Sequence, residues 1–161
     1  MDKFVTWPEV HRDTKLLVRR LLAIGGWKGI VAVTRGGLVP ASILAREMEI
    51  RFVDTLCIAA YDEQRSGPID VIKTPHMACA EKGEGWLLVD DLVDTGRTMK
   101  TARELLPQSH VATVYAKPMG KPYVETFVHE VAQDVWVFFP WDTEPQYIAP
   151  LAHSSPGTPI S

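Results

Sequence analysis

The chain is expected to be an α/β protein with a mainly parallel central sheet flanked by helices. Three observations predict this. First, Gly29-Ile30-Val31-Ala32-Val33-Thr34, Trp86-Leu87-Leu88-Val89-Asp90 and Val111-Ala112-Thr113-Val114-Tyr115-Ala116 are continuously rather than alternately apolar. Such runs suit strands buried on both faces, as in a parallel sheet. Second, helical patterns separate the runs. Third, each run ends in a charged or glycine-bearing segment: Arg35-Gly36-Gly37, Asp90-Asp91 or Lys117-Pro118. Open parallel sheets bind ligands at the carboxyl ends of their strands, so these three segments should converge on one rim.

The elements follow in order. Residues 8–24 read as an amphipathic helix. Thr6 can cap it, Pro8 suits its first turn, and Glu9 complements its dipole. Val10, Leu17, Leu21 and Ile24 supply its apolar stripe, and Gly25-Gly26 stops it. A strand over 29–34 and the Arg35-Gly36-Gly37 turn lead into a helix over 38–49, with Pro40 in its first turn. Residues 52–60 read as a strand, 61–68 as an exposed polar loop, 69–73 as a short strand and 74–85 as a connection. A strand over 86–90 precedes a helix over 95–106, and a strand over 111–116 follows. Residues 127–131 and 135–139 are strand-like but more alternating. The Ser-, Pro- and Gly-rich tail, 152–161, is expected to be disordered. No repeat or interdomain linker divides residues 1–151, which read as one domain.

Composition sets the class. The chain has 161 residues, 46% hydrophobic and 23% charged, which suits one soluble globular domain with a sizeable core. A net charge of −3 gives no basic footprint for nucleic acid and no simple electrostatic attraction to an anionic membrane. Cys57 and Cys79 lie in neither a CxxC pair nor a zinc spacing, which suggests two reduced thiols in an intracellular protein. Met1-Asp2-Lys3-Phe4 does not open like a signal peptide, and no apolar run nears the ~20 residues that span a bilayer. A cytoplasmic location is expected.

The segment from Trp86 to Thr98 carries the most chemistry. Its apolar run ends in Asp90 and Asp91; Asp94 follows, then Thr95-Gly96-Arg97-Thr98. Carboxylates suit ribose hydroxyls and Mg²⁺. A turn of small residues at a helix N-terminus suits a phosphate. One loop fit for a sugar, a metal and a phosphate points to a phosphoribosyl ligand. Plainer alternatives stand beside this reading. Asp94 or Thr95 could simply cap the helix, with Asp90 and Asp91 as solvated turn residues. Arg35-Gly36-Gly37 could be an ordinary strand-to-helix turn. Lys117 could be a solvated lysine at a strand end, and Trp136 a core tryptophan.

Leu88-Val89-Asp90-Asp91-Leu92-Val93-Asp94-Thr95-Gly96-Arg97-Thr98 resembles the 5-phosphoribosyl-1-pyrophosphate (PRPP) binding motif of the type I phosphoribosyltransferases. Further segments resemble bacterial purine members of that family: Trp27-Lys28-Gly29-Ile30, Arg35-Gly36-Gly37-Leu38-Val39-Pro40, Leu44-Ala45-Arg46-Glu47, Ala116-Lys117-Pro118, Gln133-Asp134-Val135-Trp136 and Pro140-Trp141-Asp142. The resemblance runs in order over residues 5–150. It implies the type I fold, with a small base-binding hood built largely from C-terminal residues. It implies transfer of the phosphoribosyl group from PRPP to N9 of guanine or xanthine, and less well hypoxanthine, with Mg²⁺ as cofactor and GMP or XMP plus pyrophosphate as products.

The resemblance also implies roles for individual residues. Asp90 and Asp91 would hold the ribose hydroxyls, with Asp91 near Mg²⁺. Asp94, Thr95, Gly96, Arg97 and Thr98 would hold the 5′-phosphate, Arg97 mainly through its backbone. Arg35 and Gly36 would form a pyrophosphate loop, with a non-proline cis peptide just before Arg35. Asp94 would take the proton from purine N7. Lys117 would donate to the purine O6, Trp136 would stack on the ring, and the Val137 backbone with Asp142 would read the base edge at C2. Tyr61 is kept before the family's mobile loop, but Ala60 stands where relatives often have Ser. No loop arginine aligns; Arg65 is the nearby candidate substitute. Relatives form tetramers or dimers, and some sit peripherally at the inner membrane face. Two other readings are a hypoxanthine-guanine enzyme and a PRPP-sensing, RNA-binding regulator of the same fold. The second would need a basic face, against which the net charge, Lys117 and Trp136 argue.

Overall fold

The three apolar runs lie side by side. A computed structural model describes residues 1–60, 67–142 and 152. In chain order the main elements are β1 (Asp2–Phe4), α1 (Trp7–Leu22), β2 (Gly29–Thr34), α2 (Leu38–Glu47), β3 (Val53–Ala60), β4 (Ile69–Lys73), α3 (His76–Ala80), β5 (Trp86–Val93), α4 (Arg97–Leu105), β6 (His110–Ala116), β7 (Thr126–Glu130) and β8 (Trp136–Phe138). A single 3₁₀ turn, Lys121–Tyr123, precedes β7. Six strands form one sheet in the order β4-β3-β2-β5-β6-β7. Every pairing in it is parallel except β3 with β4.

Both faces of this sheet are covered, which explains the continuous apolarity of its central strands. On one face, Val10, Leu17 and Leu21 of α1 and Ala41 and Leu44 of α2 pack on Ile30, Ala32, Leu87, Val89, Ala112 and Val114. On the other, Ala78 of α3, Met99 and Ala102 of α4, and Leu106 pack on Val31, Val33, Leu56, Leu88 and Val111. Alternate residues of each strand therefore feed opposite cores.

The alternation slips once, at the acidic pair. Leu92 faces the same core as Leu87 and Val89, and Val93 faces the other. β6 slips in step: Tyr115 joins the core of Ala112 and Val114, and Ala116 the opposite one. The register between the two strands is nevertheless kept, with Asp90 opposite Thr113 and Leu92 opposite Tyr115. The acidic side chains bond the backbone at this kink. The Asp91 amide donates to Asp90 Oδ1 (2.9 Å), and the Leu92 amide to Asp91 Oδ1 (2.6 Å). β5 thus continues to Val93 instead of ending at Asp90 as its apolarity suggested.

Other boundaries also differ from expectation. A reciprocal capping box between Thr6 and Glu9 opens α1 as foreseen, but the helix stops at Leu22 and leaves Ile24 exposed. α2 ends two residues early, where Glu49 adopts a left-handed φ of 55°. α4 begins at Arg97, because Gly96 at φ 85° breaks the backbone path from Thr95. The segment read as a plain connection contains α3, which buries Ala78 completely.

A second, two-stranded sheet pairs β1 with β8 in parallel, Lys3 opposite Val137. Phe4 stacks on Phe138 at 4.8 Å. The hood expected from C-terminal residues therefore shares its sheet with the first residues of the chain. Val137 and Phe139 anchor it to the core beneath α1 and α2.

Candidate active site

β2, β5 and β6 are neighbours and run in parallel, so the loops that follow them share one edge of the sheet. The first loop is not an ordinary turn. Its Thr34–Arg35 peptide is cis, as the resemblance implied. The Gly37 amide bonds the Val33 carbonyl at 2.8 Å. A Cβ on Gly36 would collide with the Asp91 carboxylate, and one on Gly37 with the carbonyls of Val33 and Val89. Glycine is required here because the loop backbone lies directly against the acidic strand.

Burial pushes the Asp91 carboxyl up to about 6, with the charge of Asp142 adding to the rise and hydrogen bonds from Asp90 and the Leu92 amide opposing it. Burial also raises Asp142, against the pull of Arg35. Arg35, Asp91 and Asp142 thus share one neighbourhood although they are distant in sequence. A partly buried carboxylate near a second carboxyl suits a cation. Mg²⁺ takes oxygen ligands and commonly rests on one or two carboxylates plus substrate phosphates. Among the described residues no cluster of three or more metal-ligating side chains exists; Asp91 is the carboxylate here that could hold such a cation.

The second loop runs into α4. A Cβ on Gly96 would meet the ring of Tyr123, so this turn is packed from outside and cannot carry a larger residue unchanged. Gly96 makes no side-chain cap, and Thr95 Oγ1 accepts only a long contact, 3.5 Å, from the Arg97 amide. Asp94 is not a helix cap. Its Oδ2 takes a hydrogen bond from Lys117 Nζ at 2.8 Å, and its Oδ1 one from Gln133 Nε2 at 2.7 Å. The Arg97 guanidinium reaches across to the Gly67 carbonyl at 2.7 Å, so this residue offers more than the backbone role expected of it.

The third loop brings Lys117. It is only 3% exposed, so it is not a solvated strand-end lysine; its ammonium is held inside the protein against Asp94. Gln133, a member of the Gln133-Asp134-Val135-Trp136 segment, is a functional candidate that sequence reasoning missed. It lies in the short connection over 131–135 between β7 and β8, where a single amide carries no periodic or catalytic signature.

The hood presents Trp136 at 49% exposure, so the tryptophan is not a core residue. Phe138 accepts from the Val5 amide at 2.9 Å. Successive residues of a strand direct their backbone groups to opposite edges, so the N–H and C=O of Val137 point away from β1. Tyr61 and Arg65 lie outside the described residues.

A family model described as the phosphoribosyl transferase domain matches residues 14–148. The chain belongs to this family. Among similar phosphoribosyltransferases, the xanthine-guanine phosphoribosyltransferase of Desulfotalea psychrophila is 54% identical over 148 residues, 91% of this chain and 90% of that protein. The protein of the same name from Nitratidesulfovibrio vulgaris strain DP4 is 53% identical over 150 residues, 92% of this chain and 90% of the other. Among solved structures, a purine phosphoribosyltransferase from Pyrococcus horikoshii superposes with a TM-score of 0.75 at 25% identity, over 93% of this chain and all of the other. The type I phosphoribosyltransferase fold expected from the sequence is therefore the fold of this chain.

Proposed function

We propose that this chain is a purine salvage enzyme that transfers the 5-phosphoribosyl group of PRPP to N9 of guanine or xanthine, and less well of hypoxanthine. The observation that carries this reading is the ion pair of buried Lys117 with partly exposed Asp94 beside the phosphate loop. A buried cation and an anion side by side match a purine edge that offers an acceptor at O6 and a proton at N7. Relatives at about half identity carry the name xanthine-guanine phosphoribosyltransferase.

In this reading Thr95, Gly96, Arg97, Thr98 and the start of α4 receive the 5′-phosphate, and Asp90 and Asp91 the ribose hydroxyls. Arg35 and Gly36 serve the pyrophosphate, and the family resemblance assigns Tyr61 and Arg65 to the same ligand. Asp91 is the carboxylate that would hold Mg²⁺, whose charge when bound offsets that of the leaving pyrophosphate. Trp136 supplies a flat face for the base. Lys117 donates to O6, and Asp94 accepts the N7 proton as N9 meets the ribose carbon. The Val137 backbone and Asp142 face the C2 substituent. A base lacking that substituent leaves a polar group unpaired, at about 1–3 kcal/mol. No covalent enzyme intermediate is needed; orientation and fixed charge carry the rate.

We also read residues 1–151 as one catalytic domain, in line with the family match over 14–148. A homo-oligomer, dimer or tetramer, is the assembly the family resemblance implies, and sedimentation at micromolar concentration tests it. No described helix is long and apolar enough to cross a membrane. A cytoplasmic place of action accords with Cys57 and Cys79, both free thiols.

The deciding experiment is PRPP-dependent nucleotide formation with guanine, xanthine, hypoxanthine and adenine. Guanine and xanthine should give the higher kcat/KM. Equal rates with hypoxanthine and none with xanthine would favour a hypoxanthine-guanine enzyme, and no nucleotide from any base would overturn the reading.

A further inference from the structure

We propose that Gln133 is a positioning residue that fixes the plane of the Asp94 carboxylate; the inference rests on the role just given to Asp94. Asp94 receives two donors, one on each oxygen: Lys117 Nζ on Oδ2 at 2.8 Å and Gln133 Nε2 on Oδ1 at 2.7 Å. A carboxylate held by one donor can turn about its Cβ–Cγ bond. Donors from two different segments stop that rotation. One lone-pair direction on each oxygen then stays open for a proton from the base.

The orientation of Gln133 is itself determined. Its Oε1 accepts from the Met119 amide at 3.0 Å. A backbone N–H can only donate, so the oxygen must face Met119 and the NH₂ must face Asp94. Met119 belongs to the turn that starts at Lys117, where the amides of Gly120 and Lys121 both donate to the Lys117 carbonyl at 3.0 Å. One side chain thereby ties the proton-accepting loop to the lysine turn. Because Gln133 is neutral, it orients Asp94 without adding a second positive charge.

The test is a double-mutant cycle in the full chain: parent, Gln133→Met, Asp94→Asn and the double variant, with guanine and PRPP. Methionine keeps the length and loses both hydrogen bonds. Gln133→Met should lower kcat about 10- to 100-fold, as misplacement of a reacting group does, with the KM for PRPP within about twofold of the parent. In the Asp94→Asn background the same change should cost no more than about twofold, because a residue acting through Asp94 has nothing left to position. Gln133→Asn, which keeps the amide but cannot span the gap, should repeat the loss and serves if the methionine variant folds poorly. Unchanged kcat in both Gln133 variants, or an equal loss in both backgrounds, would overturn the proposal and leave Asp94 in its role. Unchanged turnover in Asp94→Asn alone would instead overturn the role of Asp94, and this inference with it.

Discussion

Asp94 illustrates how much a single position depends on its neighbours. From its place before a helix it could have been a cap, and only the ion pair with Lys117 and the amide of Gln133 distinguish it. Asp94→Asn preserves the shape and loses the charge. Turnover should fall by about 10²–10⁴, the usual worth of a positioned general base, while far-UV circular dichroism stays that of the parent. Trp136→Ala should act differently. It removes an exposed ring, so it should raise the KM for the base by about tenfold, the scale of one aromatic contact, and leave thermal stability nearly unaltered. Steady-state kinetics at saturating PRPP separates the two. At this scale the acidic pair and Lys117 could be placed on the rim from the sequence because each follows an apolar run, whereas the roles expected of Asp94 and Trp136 came only with the family resemblance. Gln133 and the sideways reach of Arg97 were not legible, since long polar side chains choose their partners only after folding has placed them.

At the scale of elements, the phosphate loop depends on Gly96. Its φ of 85° and the Tyr123 ring beside it both refuse a side chain. Gly96→Ala should destabilise the protein by about 1–3 kcal/mol and weaken PRPP binding, measured by urea unfolding and by calorimetric titration. The central strands and α1, α2 and α4 were readable because burial on two faces or one stripe leaves a period in the sequence. Three elements were not. β1 has only three residues, two of them charged. α3 is one short turn held mainly by Ala78. The continuation of β5 through Asp90 and Asp91 runs against any expectation that strands end where carboxylates begin; their oxygens bond the chain's own amides at the kink and make it possible.

At the scale of the whole molecule, one buried carboxylate joins α1 to β6 and β7 on the face of the sheet that the helix covers. Asp13, 1% exposed, accepts from the Tyr115 hydroxyl at 2.8 Å and lies beside Arg12 and His129. Burial alone would raise its carboxyl, yet hydrogen bonds from Arg12 and Tyr115, with the His129 ring beside it at 3.2 Å, hold it below the ordinary range. A carboxyl lowered on folding adds stability that is complete above its unfolded value, near 4, and that is lost as pH falls through the folded one. Asp13→Asn should therefore be less stable than the parent at pH 7 by about 1–3 kcal/mol, with the gap closing below about pH 4. Urea unfolding at pH 7, 5 and 3.5 checks both the sign and the window. Tyr115 also contacts the ring of Phe139, which stacks on Trp141 at 4.7 Å, so loosening Asp13 should be felt in the hood as well.

The pairing of Asp2–Phe4 with Trp136–Phe138 has a practical side for anyone handling this protein. A purification handle or fluorescent fusion joined at Met1 would pull on the very ribbon that holds the tryptophan platform. Clipping off the first four residues would leave that ribbon with a bare edge and Phe138 without its stacking neighbour. Either manipulation should blunt affinity for the purine while sparing affinity for the activated sugar, so assays meant to rank bases should keep the Asp2–Phe4 strand intact.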